Sequence, residues 1–266
     1  MDFLKTINRR SFLSEVIYIV LNVGLALALL FIIRTTGSLL FALMIVLLSM
    51  WRIFAVRTRF WFANIQANLV SMIVSASFVV LLYSISLAEC GAFQIFIIQI
   101  VTTLLYTAWL LFLKPQSKRV YVVAQAGVAL FMGTAAIYSA SYILAASPVV
   151  LLMWLVGYAT ARHVLSSYDE ENHSTFLSIV WGFMVAEVGW LAYHWTIAYR
   201  IPFIEAILLP QVSIIVLCLG FVAYKSYDSF HHYEKIRMND IFLPLIFSIG
   251  IICVLMLAFN GVLRLI

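Results

Sequence analysis

The chain has 266 residues, of which 65% are hydrophobic and 10% are charged, and its mean hydropathy is +1.09. A soluble globular domain has roughly 45–50% apolar and about 25% charged residues, so this composition excludes a soluble fold and indicates that apolar surface faces lipid. The net charge of +5 is spread over short clusters between apolar runs rather than gathered in one basic segment. We therefore expect no nucleic-acid partner.

Nine apolar runs follow one another along the chain, and each approaches the roughly 20 residues that cross a bilayer. They cover residues 13–33, 38–56, 62–84, 94–113, 120–144, 148–165, 175–199, 207–224 and 241–265. The runs are continuous rather than alternating, which favours helices over strands. We expect an all-α, multi-pass helix bundle that forms a single transmembrane domain over residues 1–266, integral to the bacterial plasma membrane.

The basic residues predict an orientation. If the N-terminus is cytoplasmic, the cytoplasmic side receives thirteen of the sixteen Lys and Arg residues, and the other side receives only Arg34, Arg200 and Arg264. Cytoplasmic loops of membrane proteins carry such an excess, so nine crossings would leave the C-terminus outside the cytoplasm. The second and third runs also align with the sixth and seventh, which suggests one helix followed by two parallel four-helix repeats.

Glu187 is the most informative single residue because it interrupts the seventh apolar run. A carboxylate at such a depth costs a few kcal/mol and usually marks an ion or substrate path. His194 follows seven residues later, on the same helical face and about 10 Å further along the axis. The alternative interpretation is structural: Glu187 is a hydrogen-bonding group that joins two helices.

Two further helices have polar stripes on one face. The third run carries Asn64, Asn68, Ser71 and Ser75, and the fourth carries Gln99, Thr102, Thr103 and Tyr106. Lipid cannot satisfy these groups, so each stripe should face the bundle interior, as a polar cavity or as interhelical hydrogen bonds. The candidate ligand-binding residues are therefore Glu187, His194, Asn64, Asn68, Gln99 and Tyr106.

Ionisable groups concentrate in two loops that we expect to be cytoplasmic, at residues 168–173 and 228–235. Neither loop matches a zinc signature and no phosphate-binding glycine motif is present, so we expect no metal and no cofactor. Cys90, Cys218 and Cys253 have no metal-ligand spacing and no disulfide pattern. We recognise no family signature.

Three functions remain open. The first is a small secondary transporter or a membrane protein that binds a lipid or a small solute. The second is a non-catalytic scaffold or subunit that packs against a membrane-protein partner or another copy of itself, with membrane lipids around it. The third is an enzyme that acts at the cytoplasmic face through the two ionisable loops.

Overall fold

The computed structural model describes residues 2–88, 90–141, 143–168, 173–194, 198–201 and 204–258. Over these ranges the chain forms nine α-helices and one two-stranded sheet. The helices are α1 (Asp2–Thr36), α2 (Leu39–Ser49), α3 (Trp61–Ser86), α4 (Ala92–Ala108), α5 (Arg119–Ser139), α6 (Ala146–Leu165), α7 (Ser174–His194), α8 (Gln211–Tyr233) and α9 (Met238–Ala258). The strands are β1 (Ala198–Ile201) and β2 (Ile204–Pro210).

Eight of the helices in the described ranges are long and apolar enough to cross a membrane. The predicted helical class is confirmed, and the length and hydropathy of these helices are compatible with a membrane protein. The exception is α2, whose 11 residues reach only about 16 Å at 1.5 Å per residue. The predicted second run continues to residue 56, but α2 is followed by 3₁₀ turns at Trp51–Ile53 and Thr58–Phe60.

The end of α2 has a local cause. Arg52, Arg57 and Arg59 lie in the connection to α3, where charge replaces the apolar run. The indole Nε1 of Trp61 donates to the carbonyl oxygens of Phe54 (3.1 Å) and Val56 (3.0 Å). Backbone acceptors that a longer helix would have paired are therefore satisfied by a side chain.

The hairpin between α7 and α8 departs from the prediction that the chain contains no strands. β1 and β2 pair antiparallel, with Ala198 opposite Pro210 and Tyr199 opposite Leu209. Pro210 is unfavourable inside a helix because it removes a backbone hydrogen bond, and a proline biases the residue before it towards extended backbone. The predicted eighth run, 207–224, therefore becomes helical only at Gln211.

Two side-chain contacts show how α1 and α4 are arranged. At one end of the bundle, the Arg34 guanidinium on α1 donates to Gln99 Oε1 on α4 over 3.4 Å. At the other end, the Tyr18 hydroxyl on α1 donates to the Leu110 carbonyl oxygen over 2.9 Å. These two contacts make α1 and α4 antiparallel neighbours.

Helices α6 and α7 meet almost backbone to backbone. A methyl group added at Gly157 would lie 3.0 Å from the Gly182 Cα atom and 2.8 Å from the Val185 Cβ atom. One added at Gly189 would lie 2.8 Å from the Met153 side chain. Small residues permit this close approach in membranes, and the pair forms one wall of the second hydrophobic core, around Leu130, Val156 and Val216. A separate core lies among α1–α4.

Candidate functional site

The two polar stripes meet each other inside the bundle. The Tyr106 hydroxyl donates to Ser75 Oγ over 2.9 Å, and the Tyr106 ring stacks on Phe78 with 4.0 Å between centroids. Gln99 is 1% exposed and donates through Nε2 to the Leu82 carbonyl oxygen over 3.5 Å. The interhelical alternative accounts for these contacts, because Gln99 and Tyr106 both join α4 to α3.

Asn64 and Asn68 are half-buried near the start of α3. The Asn64 side-chain amide donates to the Ile53 carbonyl oxygen, and that of Asn68 donates to the Asn64 carbonyl oxygen, each over 2.8 Å. Both amides therefore serve backbone acceptors at the junction between α2 and α3. Their predicted role in ligand binding stays a prediction.

Glu187 and His194 share one face of α7, as their spacing predicts, and that face is the outer surface of the described bundle. The large apolar residues beside them are exposed, with Phe183 at 59%, Trp190 at 52% and Leu191 at 53%. The His194 ring contacts the Trp190 ring with 5.0 Å between centroids. The structure thus separates this pair from the α3 and α4 stripes, which face inwards.

The two ionisable loops do not assemble a metal site within the part of the chain that the structure describes. No group of three His, Cys, Asp or Glu side chains converges there. Residues 169–172, which supply all three acids of the first loop, lie outside the described residues. What the structure does bring together is Tyr168, which precedes that stretch, and the end of α8.

An apolar cavity of about 270 Å³ lies between α5, α6, α7 and α8. We call it the α5–α8 cavity. Its lining consists of Val123, Ala126, Gly127, Leu130, Thr160, Ala161, Val164, Leu165, Leu177, Trp181, Leu217, Gly220, Phe221, Ala223, Tyr224 and Tyr227. Largely apolar clefts with a few polar groups are typical ligand sites.

Glycines let α5 and α8 approach each other closely beside the cavity. A methyl group built on Gly127 would lie 3.7 Å from the Leu217 side chain, and one built on Gly220 would lie 2.8 Å from the Leu130 side chain. The lining residues on α5 and on α8 each repeat at three- and four-residue intervals, which defines one helical face. Larger residues on these two faces would fill the cavity.

A polar cluster lies at one end of the cavity, and we define it as Arg119, Tyr168, Asp228, His231 and His232. The Arg119 guanidinium lies 4.1 Å from the Tyr168 ring centroid and 4.0 Å from Asp228 Oδ1. The Tyr168 hydroxyl donates to the same Oδ1 atom over 2.9 Å. His232 Nδ1 lies 3.6 Å from that oxygen. The Asp228 carboxylate is thus at the centre of the polar cluster: it accepts a hydrogen bond from Tyr168 and lies within ion-pair distance of Arg119 and His232.

Tyr168 and Tyr227 connect the polar cluster to the cavity. The two rings meet edge to face with 4.9 Å between centroids, and Tyr227 also lines the cavity. Tyr168 is only 5% exposed. Burial raises the pKa of its phenol above the ordinary value, and the adjacent Asp228 carboxylate raises it further. Tyr168 therefore keeps its proton at neutral pH and remains a hydrogen-bond donor.

The sequence contained a signal for this site that the search for metal ligands did not use. Gly220, Ala223, Tyr224 and Tyr227 place small residues and tyrosines on one helical face that ends beside Asp228. Such a face favours a cleft with a polar mouth over a packed core. Arg119 offers no comparable signal, because a basic residue at a helix start is also expected of an ordinary loop.

Comparison with protein-family models, with curated proteins and with solved structures finds no match for this chain.

Proposed function

We propose that the chain is a membrane protein that binds an amphiphile, with its apolar chain in the α5–α8 cavity and its head group at the polar cluster. The observation that carries this proposal is that one residue, Tyr227, belongs to the apolar lining and also touches the polar cluster. A ligand that fills the cavity and reaches its end therefore needs both an apolar and a polar part. Of the three functions that the sequence leaves open, this proposal corresponds to the first, a membrane protein that binds a lipid or a small solute.

The chemistry of the polar cluster favours a zwitterionic head group. Arg119 supplies a planar guanidinium, the side chain best suited to phosphate oxygens. Asp228 supplies negative charge and the Tyr227 ring supplies an aromatic face, both of which attract a quaternary ammonium group. A single-chain phosphocholine lipid combines these features.

We also place nine crossings in the membrane, with the N-terminus and the polar cluster on the cytoplasmic side. The imbalance of Lys and Arg supports this orientation. The position of α2 supports the count: Arg34 lies level with Gln99 and Leu82 at one end. Ile53 lies beside Asn64, and Asn64 precedes Leu82 by about 27 Å of helix. The segment from Arg34 to Ile53 would thus cross although α2 is short.

Two pairs of matched variants test the binding proposal. The purified full-length protein is titrated with lysophosphatidylcholine in detergent micelles, and bound lipid is counted by native mass spectrometry. Ala161→Phe fills the cavity, whereas Ala124→Phe adds the same ring on the exposed side of α5. We expect Ala161→Phe to lower lipid occupancy at least fivefold and Ala124→Phe to leave it unchanged.

The second pair tests the head group. Arg119→Gln removes the cation of the polar cluster, and Lys118→Gln removes the neighbouring exposed cation. A charge-assisted hydrogen bond contributes about 1.5–3 kcal/mol, so Arg119→Gln should weaken binding about tenfold or more and Lys118→Gln should not. Equal binding by all four variants would refute the proposal.

A scaffold remains the second candidate, and the interhelical hydrogen bonds of Gln99 and Tyr106 favour it. In a scaffold these bonds set the shape of the bundle, and the α5–α8 cavity has no ligand. The scaffold would be supported instead if every cavity variant kept its lipid binding and if Tyr106→Phe lost a co-purifying membrane protein.

A further inference from the structure

Glu187 occupies an unusual position for a carboxylate. It lies on the outer surface of α7, about 10 Å from the end of that helix at His194, among the exposed side chains of Phe183, Trp190 and Leu191. In a membrane this surface meets hydrocarbon. A charged group there is expensive, and structures usually place it against a partner or in a cavity.

Within the described part of the chain, Glu187 makes no ion pair and no hydrogen bond. Arg162 is the only Lys or Arg between Ala146 and Leu165 or between Ser174 and His194. Its guanidinium donates to the hydroxyls of Ser174 and Thr175. Ser174 precedes Glu187 by thirteen residues, or about 20 Å of helix, so Arg162 cannot neutralise the carboxylate.

A groove surrounds this carboxylate. A cavity of about 450 Å³ on the outer side of α6 and α7 is lined by Val150, Phe183, Ala186, Glu187, Trp190 and Leu191. Two of its walls are aromatic, and its only charged group is Glu187. The groove shares no lining residue with the α5–α8 cavity, and Glu187 takes no part in the polar cluster.

We propose that this groove binds a lipophilic organic cation, with the positive centre beside Glu187 and the apolar substituents against Phe183, Trp190 and Leu191. The carboxylate supplies the opposite charge, which is strong where water is excluded. The Trp190 and Phe183 faces add cation–π attraction, for which tryptophan is the best side chain. The groove is open to lipid, from which a lipophilic ligand would enter without crossing water.

The proposal concerns charge, so the test uses two ions of the same shape and opposite charge. Tetraphenylphosphonium and tetraphenylborate are each titrated into the purified full-length protein in detergent micelles, and the partition of each ion into empty micelles is subtracted. We expect saturable binding of the phosphonium ion and at least tenfold weaker binding of the borate ion. This comparison needs no variant and does not depend on the folding of one.

Variants then locate the site. Glu187→Gln keeps the size and polarity of the side chain and removes its charge, and we expect it to weaken phosphonium binding at least tenfold. Trp190→Leu should weaken it about threefold to tenfold. Glu15→Gln is the matched control, because Glu15 is an exposed carboxylate on a different helix, α1, and its loss should change nothing.

Three outcomes would overturn the proposal. The first is equal binding of the two ions by the wild-type protein. The second is unchanged phosphonium binding by Glu187→Gln. The third is a wild-type dimer that binds no phosphonium and that Glu187→Gln converts to a monomer, which would assign the same face to contact with a second copy of the chain.

Discussion

Gly157→Ala should separate α6 from α7, and the structure gives the size of the effect. The added methyl group would lie 2.8 Å from Val185 Cβ and 3.0 Å from Gly182 Cα. Carbon atoms in favourable contact are about 3.5–4.0 Å apart, so the helices would have to move apart by roughly 0.5–1 Å. Gly182 offers only backbone at this point, and no side-chain rotation can relieve the clash.

Gly24→Ala is the matched control for this change. Gly24 lies inside α1, and a methyl group there meets no atom within 4 Å. Both substitutions gain the helix propensity of alanine, about 0.5–1 kcal/mol. Overpacking costs about 1–3 kcal/mol, and only Gly157→Ala incurs it. The difference between the two variants therefore isolates the contact between α6 and α7.

Thermal unfolding of the purified proteins in one detergent, followed by tryptophan emission at one scan rate, measures this difference. We expect Gly24→Ala to melt at or above the wild-type temperature. Gly157→Ala should melt below Gly24→Ala, by about 2–4 °C for each kcal/mol in a protein of this size. Equal melting temperatures of the two variants would show that α6 and α7 do not meet at Gly157 and would refute the reasoning.

Three further predictions concern polar groups. Tyr106→Phe and Ser75→Ala should each destabilise the protein, and a double-mutant cycle in detergent should give a coupling of about 0.6–1.7 kcal/mol; zero coupling would mean that their hydrogen bond is not formed. Burial lowers the pKa of Lys114, so its charged form is disfavoured on folding and stability falls as the pH falls from the ordinary lysine value of 10.5 through the lower folded pKa. Lys114→Met should accordingly raise the melting temperature at pH 7, with a gain that shrinks as the pH rises through the folded pKa and is absent above 10.5; a gain that is constant with pH would contradict this. A lipid-soluble carbodiimide should modify Glu187 from the membrane phase, mapped by peptide mass spectrometry, and should react with the paired Asp228 more slowly; the reverse order would place Glu187 away from lipid.

The spans and the polar stripes could be predicted from sequence because both depend on local pattern. Length and hydropathy set the long helices, and Gln99 and Tyr106 turn inwards because lipid offers them no partner. The hairpin after α7 was missed because many of its residues from Ala198 to Pro210 are apolar, and both of its ends were therefore assigned to the seventh and eighth runs. The end of α2 at Ser49 was missed because residues 50–56, which follow it, are also largely apolar.

The sequence could not show whether Glu187 lies on the inner or the outer face of α7. Helix α7 is apolar around its whole circumference, and lipid is as apolar as the bundle interior. Periodicity therefore does not say which face is inside. The packing of Gly157 on Gly182 decides it, since this contact turns the opposite side of α7, with Glu187, outwards. The convergence of Arg119, Tyr168 and Asp228 depends likewise on tertiary structure, because they come from three separate parts of the chain.

The α5–α8 cavity has one stiff wall and one compliant wall. On the α6–α7 side, the two helices are in close contact one turn from the lining residues Thr160 and Ala161, because a methyl group on Gly157 would lie 3.0 Å from the Gly182 Cα atom, so these two helices cannot move closer together. On the α8 side, Gly127 and Gly220 face the ends of Leu217 and Leu130, which are flexible side chains that change rotamer readily. For the proposed amphiphile, we expect binding to depend strongly on the head group and only weakly on the length and unsaturation of the acyl chain.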